Sequence, residues 1–229
     1  MREIVLDTET TGLDPSFGHR IVEIGCVELF NHLPTGEVFH VYINPDRSMP
    51  EAAFNIHGLS SDFLKTKPVF SEVVNQFLEF IKGSPLIIHN AAFDLAFINA
   101  ELTKLKKPSL NGNKIIDTIP LAKKKFPGAP VNLDALCRKF HIDLTKRDIH
   151  GALLDANLLA SVYLELIGGR QQGFLLTETK DTSSDNFVKS MKVRPSRLYE
   201  PNKEEKRIHR NFIKKLNNSL WLLFYKEKN

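Results

Sequence analysis

The 229 residues, 42% hydrophobic and 25% charged, have the balance of a globular protein with one large domain, or one domain plus an appendage. Two cysteines without Cys/His spacing exclude a disulfide framework or zinc motif, and no run approaches the roughly 18 apolar residues of a membrane helix. The net charge of +4 conceals an asymmetry: residues 189–229 hold 12 basic and 4 acidic side chains, the rest 19 basic and 23 acidic.

The opening MREIVLD lacks the apolar core of a secretory signal. Cys26 and Cys137 lie in apolar runs and read as buried free thiols of a reducing, cytoplasmic setting. The basic C-terminal segment is suited to nucleic acid or to an acidic protein face.

Residues 3–7 form a short β-branched run ending in an acid, as a buried strand does. Gly12, Pro15 and Gly18 mark a loop. Residues 21–30 and 37–44, rich in Val, Ile, Phe and Tyr, predict a hairpin turning at 31–36. Apolar positions 69, 70, 73, 74, 77, 78 and 81 follow a helical stripe. A strand at 86–88, a helix at 93–105 and a strand at 115–116 follow, and Asp117 is placed to cap a helix over 118–126. Helices at 133–140 and 152–167 complete the pattern, the last stopped by Gly168-Gly169. Three strands and then alternating helices and strands predict an α/β fold with a mixed sheet.

After Gly169 the chain turns polar. Residues 1–170 are read as the folded domain, 171–190 as a flexible linker and 191–229 as a docking segment. That last segment is too short for much core of its own. It holds a charged helical stretch at 203–216 and the apolar run 220–225 with the only tryptophan, Trp221.

Asp7 and Glu9 stand one residue apart where the first strand ends, on the same side of an extended chain. Two such carboxylates repel unless a cation lies between them, and hard oxygen ligands suit Mg²⁺ or Mn²⁺. Asp94 follows the apolar strand at 86–88, where a first-turn helix acid is the plainer reading. Asp155 lies among Leu153, Leu154, Leu158 and Leu159, where a carboxylate is costly without a cation or hydrogen-bond donors.

The runs Asp7-Thr8-Glu9-Thr10-Thr11-Gly12 and His89-Asn90-Ala91-Ala92-Phe93-Asp94, then His150 with Asp155 five residues on, resemble the three motifs of the DEDDh 3′–5′ exonucleases in order and separation. The resemblance spans about residues 3–168. It implies a ribonuclease H-like fold, here a mixed five-stranded sheet flanked by helices. It also implies two divalent cations, Mg²⁺ or Mn²⁺, and release of 5′-mononucleotides from a 3′ end. Carried onto this sequence, Asp7 bridges the metals, Glu9 and Asp155 complete one site, Asp94 serves the other, and His150 is the general base. Thr10, Thr11, Gly12, Asn90, Phe93, His57 and, by a looser alignment, Glu51 face the terminal nucleotide.

Residues 39–42, 45–47, 56–58, 125–128, 133–137 and 150–156 further resemble the proofreading branch of that family, which serves bacterial replicative DNA polymerases. This branch implies a DNA 3′ end as substrate and docking of 191–229 on the polymerase catalytic (alpha) subunit, with the polymerase's nucleotidyltransferase class attached. Gln172 to Leu176 (QGFLL) loosely fits a sliding-clamp motif, and a small theta-like subunit is a third partner that the resemblance allows. An RNA-trimming exonuclease of the same family and a non-catalytic polymerase scaffold are the alternatives. The complete acid and histidine set argues against the scaffold.

Overall fold

The structure, a computed structural model, describes residues 1–145, 149–169 and 200–216. The chain divides into two units, Met1–Leu175 and Leu176–Asn229. The first contains a sheet of order β3-β2-β1-β4-β5. Strand β1 (Arg2–Thr10) pairs antiparallel with β2 (Ile21–Phe30), and β2 with β3 (Leu33–Tyr42). Strands β4 (Leu86–Ile88) and β5 (Ile115–Asp117) add in parallel on the other side. The mixed sheet is therefore as predicted.

Phe30 pairs with Leu33, so the hairpin loop is only Asn31-His32. Both residues have positive φ, 50° and 69°, as a type I′ turn requires. The sequence placed this turn at 31–36 because Pro34 and Gly36 look like breakers. Strand β3 lies at the sheet edge, where a proline costs no ladder hydrogen bond.

Period-2 alternation along β1 divides the core. Ile4 and Leu6 face one side, packed with α3 (Phe70–Ile81) and α4 (Ala91–Lys104). Val5 faces the other, packed with α5 (Thr118–Lys125), α6 (Leu133–Lys139) and α7 (Ala152–Leu166). Both cysteines are buried in these layers. The sequence reading missed two short helices, α1 (Glu51–His57) and α2 (Ser61–Leu64). Their exposed Phe54, Ile56 and Phe63 break the usual apolar-in pattern.

Helix α7 comes unusually close to the sheet. Gly25 pairs with Asp7 across β1 and β2, and a Cβ on it would stand 2.3 Å from the backbone of Ala152 and Leu153. Only glycine admits the first turn of α7 at this point. That turn carries Asp155.

In the second unit, α8 (Lys203–Lys214) begins with a capping box. The Asn202 side chain accepts from the Glu205 amide and Glu205 from the Asn202 amide, both at 2.8 Å. Ile208 and Phe212, one turn apart, are exposed. The linker at 171–190, the clamp-like Gln172 to Leu176 and the run with Trp221 lie outside the described residues.

Candidate active site

The carboxyl ends of parallel strands in an open α/β sheet are the usual place for a ligand crevice. Here Asp7 and Glu9 sit in the last residues of β1, His89 and Asn90 directly follow β4, and Asp117 ends β5. Helix α4 brings Asp94 in its first turn, and α7 does the same with Asp155.

Asp117 fixes the entry to α4. Its carboxylate caps α5 by accepting the Ile119 amide at 2.9 Å, and also accepts the Asn90 and Ala91 amides at 3.2 Å. Asn90 adopts φ 67° and ψ 57° at this bend. Asp94 is thereby directed inward, 3% exposed, where it accepts the Thr8 hydroxyl at 2.7 Å. Burial raises the Asp94 pKa to about 7, against the Thr8 hydrogen bond, which lowers it. The Asp7 carboxyl is raised well above its usual range, first by burial, then by the charges of Asp94, Glu9, Asp155 and Glu23.

His150 is exposed on the loop before α7. Its amide donates to the Ile56 carbonyl at 3.2 Å, and its Nδ1 lies 3.1 Å from Asp155 Oδ2. Glu9, His150 and Asp155 offer ligand atoms within 4.8 Å of one another. A crowded set of acids whose ionisation opposes itself fits divalent cations in its donor chemistry and in its electrostatics. The structure thus brings together Asp7, Glu9, Asp94, His150 and Asp155.

Two cavities flank these acids. A cavity of about 570 Å³, mostly apolar, is lined by Glu9, Thr10, Thr11, Gly12, His57 and Phe93 among others. His57 is buried, and burial holds its pKa below the ordinary histidine range. The Leu59 amide donates to His57 Nδ1 at 3.1 Å, which assigns the proton to Nε2, a buried nitrogen with no hydrogen bond of normal geometry among the described residues, although the Thr10 backbone lies near enough to favour the protonated ring. Such a donor suits a ligand oxygen.

Glu51 and Asn90 do not line this cavity. Glu51 is exposed on the first turn of α1, while Pro50, Ala52 and Ala53 form the wall. Asn90 is exposed at the α4 cap.

The second cavity, about 250 Å³, is lined by Asp7, His150 and Asp155 with His89, Asn132 and Asp134. The sequence reading gave these last three no site role. Asn132 caps α6, accepting the Ala135 amide at 2.8 Å, and His89 Nδ1 lies 2.8 Å from the Thr118 hydroxyl. His89 carried a signal, since it directly follows a strand whose end faces the acids.

The buried acid has a measurable consequence. The folded-state pKa of Asp94 is above its unfolded value near 3.8, so the folded protein holds this proton between about pH 4 and 7. Stability without metal is highest below that window and declines as pH rises through it. Asn at position 94 keeps an acceptor for Thr8 but has no charge. Asp94→Asn in chelator is expected to remove much of this decline, on the order of 4 kcal/mol at most above pH 7. Denaturant titrations at pH 5 and 8 measure it, and equal slopes of stability against pH in both proteins would refute it.

The exonuclease family model (RNase_T) matches residues 4–163. DNA polymerase III subunit epsilon of Rickettsia prowazekii (strain Madrid E) is 50% identical over 222 residues, 94% of this chain and 97% of that protein. The subunit of the same name from Escherichia coli (strain K12) is 48% identical over 176 residues, 74% of this chain and 72% of that one. Among solved structures, the nuclease domain of 3′hExo, a DEDDh family member bound to rAMP, superposes with a TM-score of 0.61 at 21% identity. It covers 75% of this chain and 94% of its own. Exonuclease X in complex with 5′ overhanging duplex DNA gives 0.58 at 24% identity, over 72% and 90%. At these identities the two structures speak for the fold, and the fold is that of the DEDDh exonucleases. By the family match and by near-half identity along most of its length, this chain belongs to the exonuclease family, among the relatives of DNA polymerase III subunit epsilon.

Proposed function

We propose that the chain is the proofreading 3′–5′ exonuclease of a replicative DNA polymerase, removing mispaired 3′-terminal nucleotides as 5′-mononucleotides. The carrying observation is the convergence of Asp7, Glu9, Asp94 and Asp155 with His150 beside a cavity of nucleotide size. Asp7, Glu9, Asp94 and Asp155 would hold two divalent cations, Mg²⁺ or Mn²⁺. When bound, these cations neutralise charge on the phosphate and favour ionisation of the attacking water.

The chain's own groups do the rest. Asp155 orients the His150 imidazole through Nδ1, and His150 accepts a proton from the water. The His57 Nε2–H donates to an oxygen of the terminal nucleotide. Thr10, Thr11 and Gly12 line the same wall, and Phe93 contacts the base without reading its identity. Glu51 and Asn90 remain at the rim, outside this contact set. The reaction is a hydrolysis, so the nucleotidyl transfer belongs to the polymerase.

A frayed end enters more easily because unpairing costs a few kcal/mol less at a mismatch. Mismatched primer ends are expected to be trimmed about tenfold faster or more than paired ends. Gel assays with Mg²⁺ and with chelator, beside an RNA of the same sequence, test this. Equal rates on both ends, or preference for the RNA, favour the RNA-trimming reading.

Residues 191–229 are assigned to docking on the polymerase catalytic subunit. The exposed Ile208 and Phe212 on α8 and the surrounding basic residues support this reading. A chain ending at Gly169 is expected to keep exonuclease activity on a free oligonucleotide and to lose co-elution with the catalytic subunit. An inactive or insoluble product would instead make the segment part of the catalytic fold. A clamp contact through Gln172 to Leu176 and a theta-like third subunit are tested by co-elution of the full chain with a sliding clamp and with such a subunit.

A further inference from the structure

Phe17 is an aromatic side chain that the site as described does not use. It lines the 570 Å³ cavity yet is 80% exposed, so it stands at the rim rather than in the wall. Leu13 beside it on the same loop is 83% exposed. The two form an exposed apolar pair at the mouth of this cavity.

The loop that presents Phe17 is held at both ends. It is the last residue of a 3-10 turn, Pro15–Phe17. Asp14 caps the turn by accepting the Ser16 amide at 2.8 Å. Pro15 fixes the first φ, and Gly18 closes the turn at φ 79° by donating to the Pro15 carbonyl at 3.0 Å. Arg47 donates to the Gly18 carbonyl from the chain that follows β3. An exposed phenyl ring on a braced turn is pre-organised for a flat partner, since little backbone freedom is lost on binding.

We propose that Phe17 is a stacking platform for the second base of the strand, the one next to the 3′-terminal nucleotide. The assignment rests on the proposed exonuclease reading and extends it outward. The terminal nucleotide occupies the cavity between Thr10 to Gly12, His57 and Phe93, so the rim is where the next base emerges. Stacking there requires that base to be unpaired, and it accepts any base because every base has a π face. The platform therefore favours single strands of at least two nucleotides, and the chain measures fraying one base further in than the scissile bond.

Phe17→Ala, Phe17→Trp and wild type are compared on two substrates, a single-stranded oligonucleotide and the p-nitrophenyl ester of thymidine 5′-monophosphate, which has no second base. Phe17→Ala is expected to raise KM for the oligonucleotide about 5- to 150-fold, the range one stacked base is worth, with kcat little changed. Phe17→Trp should retain the wild-type KM, and all three proteins should cleave the ester equally. A second readout is an oligonucleotide with 2-aminopurine at the penultimate position, bound in Ca²⁺. Its fluorescence should be quenched by wild type and by Phe17→Trp but not by Phe17→Ala. An unchanged KM in Phe17→Ala, or equal losses on oligonucleotide and ester, would overturn the proposal. A KM unchanged on DNA together with lost co-elution of the catalytic subunit would make Phe17 a protein contact instead. Failure of wild type on both substrates would count against the exonuclease reading itself, a result distinct from any of these.

Discussion

Asp7→Asn is expected to lower the rate of 3′-end hydrolysis by about 10³-fold or more while leaving the fold intact. Asp7 is the acid on which all the others act. Burial and the charges of Asp94, Glu9, Asp155 and Glu23 oppose its ionisation, which is the signature of a site meant to hold positive charge. Asparagine preserves the shape of the side chain and removes the charge that cations need. It also removes a mutual repulsion, so the metal-free variant should be more stable than metal-free wild type at neutral pH. The two effects have opposite signs, and together they separate loss of function from loss of structure. Activity assays in Mg²⁺ and unfolding in chelator measure them; a variant both inactive and less stable in chelator would mean that Asp7 is chiefly structural.

His150→Ala is expected to cost about 10²- to 10⁴-fold in turnover, the usual range for a positioned acid or base. Its exposure and its contact with Asp155 Oδ2 suit proton exchange with solvent and a fixed ring orientation. The carboxylates remain, so calorimetric Mn²⁺ binding should survive. The closeness of His150 to Glu9 and Asp155 makes that measurement decisive, because those three groups could also share one cation. Abolished binding would make His150 a ligand rather than a base.

Much of this protein was legible from its residues because its elements obey simple periods. The β-branched runs of β1, β2, β4 and β5 and the apolar stripe of α3 reappear within a few residues of their expected bounds. Asp117 was expected as a cap and is one, though its hold on Asn90 and Ala91 joins two elements distant in sequence. Helix α1 was hidden because a seven-residue helix with exposed Phe54 and Ile56 shows no clear apolar face. Asp155 was conspicuous because burying a carboxylate is costly and calls for a reason; Asp7, Glu9 and Asp94 stood out as a set only through the motifs shared with the exonuclease family, since Asp94 alone reads as a first-turn helix acid.

The cavity walls were less visible. An ungapped alignment already put Ala52 rather than Glu51 at this place, and Ala52 does line the cavity while Glu51 does not, because α1 starts directly after Pro50. The cavity formed by His89, Asn132 and Asp134 draws on the end of β4 and the start of α6, which only the folded chain unites.

The bare backbone contact at Gly25 has a thermal consequence. Most active sites are joined by side chains that can loosen while the scaffold survives. Here the helix bearing Asp155 rests main chain to main chain on the strand opposite Asp7, with no intervening side chain to rearrange. The two carboxylates therefore move as one body. On heating, catalysis should persist unchanged in character until the sheet itself melts, so that the inactivation and unfolding midpoints coincide.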